Sequence, residues 1–317
     1  HFGSSIFAFG HGHRWCTWGS RHCRWKNGDS VWVSQTFLFH IRSTKELQLL
    51  RVEKGRVTNN RYGNFHHDDI IGRCFGSKVQ SRGKSSGFMY VLEPTPYMVT
   101  LSVVHRTQII YHADIALLMG LLDVRPGQIV VEAGTGSGSV SQSLGAALRP
   151  TGKLHTFEFH AERKVAAQRE FDQCGWSDVI SVECRDVCVE GLPTVLHGKV
   201  DCCFFDIPEP WAVVEHADKC LVEQGRVVTF SPCIEQVQRT AIALRSLHYH
   251  GIRVFECLSK PWGVRGGPVS QPRGVKRTRD GESCREGVES YQLPMRGHTS
   301  YLLLAIRPLR DEVDQMP

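Results

Sequence analysis

The architecture of this chain turns on Val131-Glu132-Ala133-Gly134-Thr135-Gly136-Ser137-Gly138. The stretch follows a continuous apolar run over 128–133 and opens a segment of helical period over 140–148. A strand that turns through glycines into a helix is where free backbone amides can cradle a nucleotide-like ligand. Glycine permits the close approach of main chain to ligand. The dinucleotide fingerprint G-x-G-x-x-G requires glycine at 139, and Ser139 stands there instead. A bare structural turn in an α/β sheet is the bland alternative.

Outward from the turn, apolar runs at 154–159, 179–184, 200–206, 226–231, 252–258 and 301–307 read as strands. Helical periods at 161–174, after Trp211 and at 235–247 alternate with them, and 107–122 forms a further helix stopped by Arg125-Pro126-Gly127. Strands alternating with helices of this length mean βαβ units and a parallel sheet. Before His105 the grammar differs. Short β-rich runs at 31–33, 37–41, 47–52, 70–71 and 88–92, punctuated at Lys54-Gly55 and Asn59-Asn60, predict a small all-β barrel or sandwich over 28–104. Residues 1–27 have no period and read as an atypical or disordered leader. Residues 263–297, rich in Gly, Arg, Ser and Pro, read as a disordered insertion within an α/β domain spanning 105–317.

Composition narrows the class. The chain has 317 residues, 41% hydrophobic and 22% charged, with 30 Gly and 14 Pro, which excludes a collagen-like or low-complexity protein. The net charge of +6 suits a polyanionic partner but falls short of a dedicated DNA-coating protein. Twelve cysteines include no C-x-x-C pair, so they read as reduced structural thiols in an intracellular protein rather than a zinc or redox site. No apolar run approaches the roughly 20 residues that span a bilayer.

Three strand ends carry acids. The second strand ends in Glu158, placed to accept from both hydroxyls of a ribose. The third ends in Asp186, an acceptor for an adenine amine, with the Val187 amide beside it. The fourth runs into Phe204-Phe205-Asp206-Ile207-Pro208-Glu209-Pro210-Trp211, a proline-stiffened turn that holds the Asp206 carboxylate toward the cleft. Open α/β sheets bind ligands at this carboxyl edge. Helix capping is the competing role for each acid. With Glu132 two residues before Gly134, the G-x-G-x-G spacing (Gly134, Gly136, Gly138) is the pattern of S-adenosylmethionine-dependent methyltransferases. A dinucleotide-dependent oxidoreductase and a binding-only RNA-docking domain are the alternatives; Ser139 and the intact acids argue against them.

Long stretches then carry a closer resemblance. They include Asp69-Ile70-Ile71-Gly72, His105-Arg106-Thr107-Gln108-Ile109, Glu158-Phe159-His160, Asp186-Val187-Cys188, Asp206-Ile207-Pro208, Ser231-Pro232-Cys233-Ile234-Glu235-Gln236-Val237-Gln238-Arg239 and Gly297-His298-Thr299. Together they resemble the catalytic subunits of tRNA adenine-N1 methyltransferases that modify the T-loop adenosine. The resemblance implies a Rossmann-like class I methyltransferase domain with a seven-stranded, mostly parallel sheet, and an N-terminal β-barrel. It implies transfer of a methyl group from S-adenosyl-L-methionine to N1 of adenosine 58 in tRNA, with T-loop-like messenger RNA hairpins as related substrates. It implies a nuclear enzyme, a non-catalytic sister subunit and a heterotetramer of two copies of each. Cofactor contacts carry over to Ile110, Ser137, Gly138, Ser139, Glu158, Arg163, Asp186, Val187 and Asp206, the last also catalytic, and Glu132, Gly134 and Gly136 of the turn are expected to contact the cofactor beside them. Substrate contacts are expected at Gln108, Tyr111, His160, Pro208, Ser231, Pro232, Gln236 and Thr299.

Overall fold

The computed structural model describes residues 36–39, 47–83, 87–93, 95–102, 107–258, 262–265, 287–290 and 300–309. The expected leader, the strand at 31–33 and Thr299 lie outside them. The chain forms two compact units that divide between Pro94 and Thr95.

In the first unit, β1 (Thr36–Phe39), β2 (Leu47–Leu50), β3 (Val57–Asn60), β4 (Gly63–His66), β5 (Lys78–Gln80) and β6 (Phe88–Leu92) are all antiparallel in their pairing. Four of them make a sheet in the order β2-β1-β6-β5, and β3-β4 form a separate ribbon. An isolated bridge from Asn64 to Arg82 ties the ribbon to the segment after β5. Among the described residues these pairings do not close into a barrel. The expected strand at 70–71 is instead the end of a 3-10 turn (His67–Asp69). Its His67 is fully buried: Nδ1 accepts from Glu53 N at 2.9 Å, and Nε2 bonds Thr58 Oγ1 at 2.8 Å. Val52, Phe65, Ile70, Val79, Met89 and Val91 fill a small core.

The second unit begins with α1 (Pro96–Ser102), a helix where the sequence pattern predicts the end of the β-region, and α2 (His112–Leu122). Then follow β7 (Ile129–Ala133), α3 (Ser139–Leu148), β8 (Lys153–Glu158), α4 (Ala161–Gln173), β9 (Ile180–Cys184), β10 (Val200–Phe205), α5 (Pro210–Cys220), β11 (Leu221–Ser231), α6 (Ile234–Ser246) and β12 (His250–Phe255). The chain continues with β13 (Trp262–Arg265), β14 (Gly287–Ser290) and β15 (Tyr301–Ile306). Seven strands form one sheet in the order β12-β15-β11-β10-β7-β8-β9, parallel except for β15. Successive residues of its apolar strands feed opposite cores, so no polar alternation is visible. Val131, Val213 and Val237 pack on one face, and Leu118, Val130, Leu144 and Phe204 on the other.

Two expectations are corrected here. The start of the segment expected to be a disordered insertion is a strand: residues 263–265 pair with 287–289 inside it, Arg265 opposite Gly287, while 266–286 and 291–297 lie outside the described residues. The helix expected over 107–122 starts only at His112, after an extended Tyr111; Thr107 and Ile110 are bonded instead to serines of the glycine turn, as described next.

Candidate functional site

The turn after β7 is left-handed at Gly134, with φ of +97°, and at Gly138, with φ of +77°. A side chain at 134 would meet the Asp206 carbonyl, and one at 138 would fall 2.9 Å from the Phe171 ring. The turn is therefore wedged between the end of β10 and helix α4. Main-chain bonds join three strand ends: Gly134 N donates to Phe157 O at 2.9 Å, and Asp206 N donates to Ala133 O at 2.9 Å. This brings Gly134, Glu158 and Asp206 to one edge of the sheet.

The chain entering α2 crosses this turn. Ser139 Oγ, at the first position of α3, donates to Ile110 O at 3.1 Å and bonds Thr100 Oγ1 at 2.9 Å. Thr107 N donates to Ser137 Oγ at 3.3 Å. Main-chain groups of 107–110 are thus tied to serines of the turn, and the helix cannot begin there. Thr100 and Thr107 were not among the sequence candidates. They belong to the site by supporting it, and their only sequence signal was a small hydroxyl upstream of α2.

Glu158 is nearly fully buried, and its carboxylate is heavily engaged. Oε2 accepts from Gly136 N at 3.0 Å, and Oε1 accepts from His160 N at 3.1 Å and Arg163 Nε at 2.9 Å. The acid thereby orients the glycine turn and fixes Arg163. Glu132 takes a different place from that expected. It is buried beneath the turn, where Ser141 Oγ donates to Oε2 at 2.6 Å, and burial pushes its pKa up to about 7. It shapes the turn from below rather than facing a ligand.

Asp186 is half-buried, and its Oδ1 accepts from Cys188 N at 3.0 Å, which closes its own loop. Val187 sends its side chain into the core, leaving only its main chain for contact with a ligand. Asp206 stands apart. It is half-buried, its carboxylate has no hydrogen-bond partner among the described residues, and burial alone pushes its pKa up to about 6. A partly desolvated carboxylate without a donor is costly to maintain, and such groups concentrate at functional sites.

The expected substrate residues divide. Gln108, Tyr111, His160, Pro208 and Pro232 are exposed. Ser231 is fully buried, and neither its Oγ nor the hydroxyl of Ser300 has a partner among the described residues. Gln236 is half-buried; its oxygen accepts from Cys233 N and its nitrogen donates to Pro208 O.

Glycines in positive-φ conformations, a strand-end carboxylate bonded to the turn and an unpartnered acid at the next strand fit a nucleoside cofactor. With Glu158 paired to Arg163 and the Asp186 and Asp206 carboxylates at the two neighbouring strand ends, the edge favours a ligand that carries or develops positive charge.

Comparison with known proteins gives a consistent picture. The family described as tRNA methyltransferase complex GCD14 subunit matches residues 87–287. The tRNA (adenine(58)-N(1))-methyltransferase catalytic subunit TRM61 of Candida albicans is 36% identical over 252 residues, 78% of this chain and 75% of that protein. The catalytic subunit trmt61a of Dictyostelium discoideum is 37% identical over 221 residues, 69% of this chain and 70% of that protein. Among solved structures, the tRNA (m1A58) methyltransferase TrmI of Aquifex aeolicus aligns with a TM-score of 0.63 at 21% identity, covering 87% of this chain and 98% of that one. An S-adenosylmethionine-dependent O-methyltransferase of Thermotoga maritima aligns at 0.70 with 24% identity, covering 88% and 94%. These two structures establish the class I methyltransferase fold.

Proposed function

The chain belongs to the GCD14 family of tRNA methyltransferase complex subunits, and from that premise we propose that it is the catalytic subunit of a tRNA (adenine(58)-N(1))-methyltransferase. The observation that carries the reading is Asp206, an unpartnered carboxylate beside an intact glycine turn. The cofactor is S-adenosylmethionine, held by the 134–138 turn, Glu158 with Arg163, and the loop of Asp186 and Val187. When bound, it supplies a methyl group on a sulfonium cation.

The residues then have definite tasks. Adenine N1 has a free lone pair, so no side chain needs to remove a proton from it. The ring becomes cationic as N1 takes the methyl group. Ionised Asp206 accepts from the exocyclic amine, orients the base and offsets that developing charge. Alignment of the reacting atoms supplies much of the remaining acceleration. Because a T-loop adenosine is folded into tRNA structure, the base must be turned out to reach the site. The same reading gives the chain a non-catalytic sister subunit, two copies of each in a heterotetramer, and a nuclear location; the family resemblance supports these. The net charge of +6 supports a polyanionic substrate.

The test pairs binding with transfer. Calorimetry should detect S-adenosylmethionine and not NAD, and the chain co-expressed with its sister should move a labelled methyl group to an unmodified tRNA transcript. NAD binding without methyl transfer would contradict the reading. A narrower result concerns Glu158→Ala, which removes the acceptor for Gly136 N and Arg163 as well as for the ribose. Loss of such a charged hydrogen-bond partner costs about 1.5–3 kcal/mol, so cofactor affinity should fall about ten- to a hundredfold. Unchanged affinity in the folded variant would remove Glu158 from the cofactor site.

A further inference from the structure

The turn bearing Asp206 is poor in ties of its own. Pro208 and Pro210 each remove a backbone donor, and Pro208 and Glu209 are exposed. Apart from a long bond from Cys188 Sγ to Glu209 O at 3.9 Å, the turn is held by α6. Gln236, in the first turn of that helix, donates from Nε2 to Pro208 O at 2.9 Å while its Oε1 accepts from Cys233 N at 3.2 Å. One turn further along, the Arg239 guanidinium lies over the Trp211 ring at 5.1 Å. Helix α6 therefore grips both ends of the segment 208–211.

We propose that Gln236 is a positioning residue for methyl transfer, its amide clamping the Asp206-Ile207-Pro208 turn to the start of α6 and so setting the direction of the Asp206 carboxylate. The inference rests on the role given to Asp206 above. Among the described residues the carboxylate has no hydrogen bond of its own to hold it, so its direction depends on the backbone beneath it. Small displacements at a reacting centre are costly: about 1 Å can cost a hundredfold in rate. The resemblance had placed Gln236 against the substrate, whereas its contacts place it behind the acid.

Two variants separate the roles. Gln236→Leu removes both bonds. Gln236→Glu keeps an acceptor for Cys233 N but, when ionised, cannot donate to the Pro208 carbonyl. Each is assembled with the sister subunit, and single-turnover methylation of tRNA is measured alongside KM for tRNA and Kd for S-adenosylmethionine. Both variants should lose about ten- to a hundredfold in rate, with KM and Kd within about threefold of wild type. Wild-type rates for Gln236→Glu would mean that the amide only caps the helix, and the proposal would fall. A rise in KM for tRNA with an unchanged rate would make Gln236 a substrate contact, again overturning it. If Gln236→Leu does not fold, Gln236→Glu alone decides. A wild-type complex that methylates no tRNA would refute the proposed function itself, which these variant-to-wild-type ratios do not address.

Discussion

Asp206→Asn should lower single-turnover methyl transfer to tRNA by about 100-fold or more, the scale expected when a preorganised electrostatic partner is deleted. Asparagine keeps the size of the side chain and one oxygen, and the main-chain bond from residue 206 to Ala133 O does not depend on the side chain. The strand end should therefore survive, and tRNA affinity should change little, because phosphate contacts dominate it. The same substitution should stabilise the protein. Burial raises the Asp206 pKa from 3.8 to about 6, so in the native state the proton is held more tightly than in the unfolded chain. Below about pH 4 the acid is protonated in both states and costs nothing. As pH rises from 4 through 6 the unfolded state ionises first, and native stability is lost across that window. At pH 7.5 the asparagine variant should be more stable by about 1–3 kcal/mol, with the difference vanishing below about pH 4. Thermal unfolding at the two pH values checks this. A variant that is slower but equally stable at both would mean that the carboxylate is not desolvated. Near-wild-type rates would reduce Asp206 to a structural role.

Gly134→Ala should be still more damaging to ligand binding. The residue has φ of +97°, where an L side chain is strained, and its added methyl would collide with the Asp206 carbonyl. Neither obstacle is a flexible side chain, so either the turn or the end of β10 must move. Affinity for S-adenosylmethionine should drop by more than about 100-fold, and stability by about 2–4 kcal/mol. Gly198→Ala is the matched control. Gly198 also has positive φ, +67°, but nothing lies within 4 Å of an added methyl there. It should cost only the left-handed strain of about 1–2 kcal/mol, with cofactor binding intact. Equal effects of the two substitutions on affinity would show that backbone strain, not the close approach to Asp206, governs the turn.

Much of the second unit could be read from sequence because its parallel strands are buried on both faces and stand out as apolar runs between helices. The glycine turn and the acids at 158, 186 and 206 were visible for the same reason: each interrupts an apolar run at its carboxyl end. The ribbon of β3 and β4 was not. Val57-Thr58-Asn59-Asn60 and Gly63-Asn64-Phe65-His66 lack the β-branched and aromatic density that marks a strand, and Asn59-Asn60 reads as a turn. The pairing of β13 with β14 joins segments more than twenty residues apart in a polar, glycine-rich region, and local pattern carries no sign of such a contact. Within the site, residue type announced chemistry but not direction. Glu132 and Gln236 are both legible as candidates, yet only the fold reveals that one lies beneath the glycine turn and the other is bonded to the Pro208 carbonyl.

The most direct measurement is to locate the transferred methyl group. The full chain, co-expressed with its sister subunit, is given labelled S-adenosylmethionine and an unmodified tRNA transcript, and nuclease fragments are sequenced by mass spectrometry. The expected result is a single methyl group on N1 of the adenosine at position 58, the site named for the catalytic subunits this chain is similar to. It should be absent from a transcript with uridine at that position, and strongly reduced over the same interval with Asp206→Asn. A methyl group on another nucleotide, or equal labelling of the uridine transcript, would contradict it.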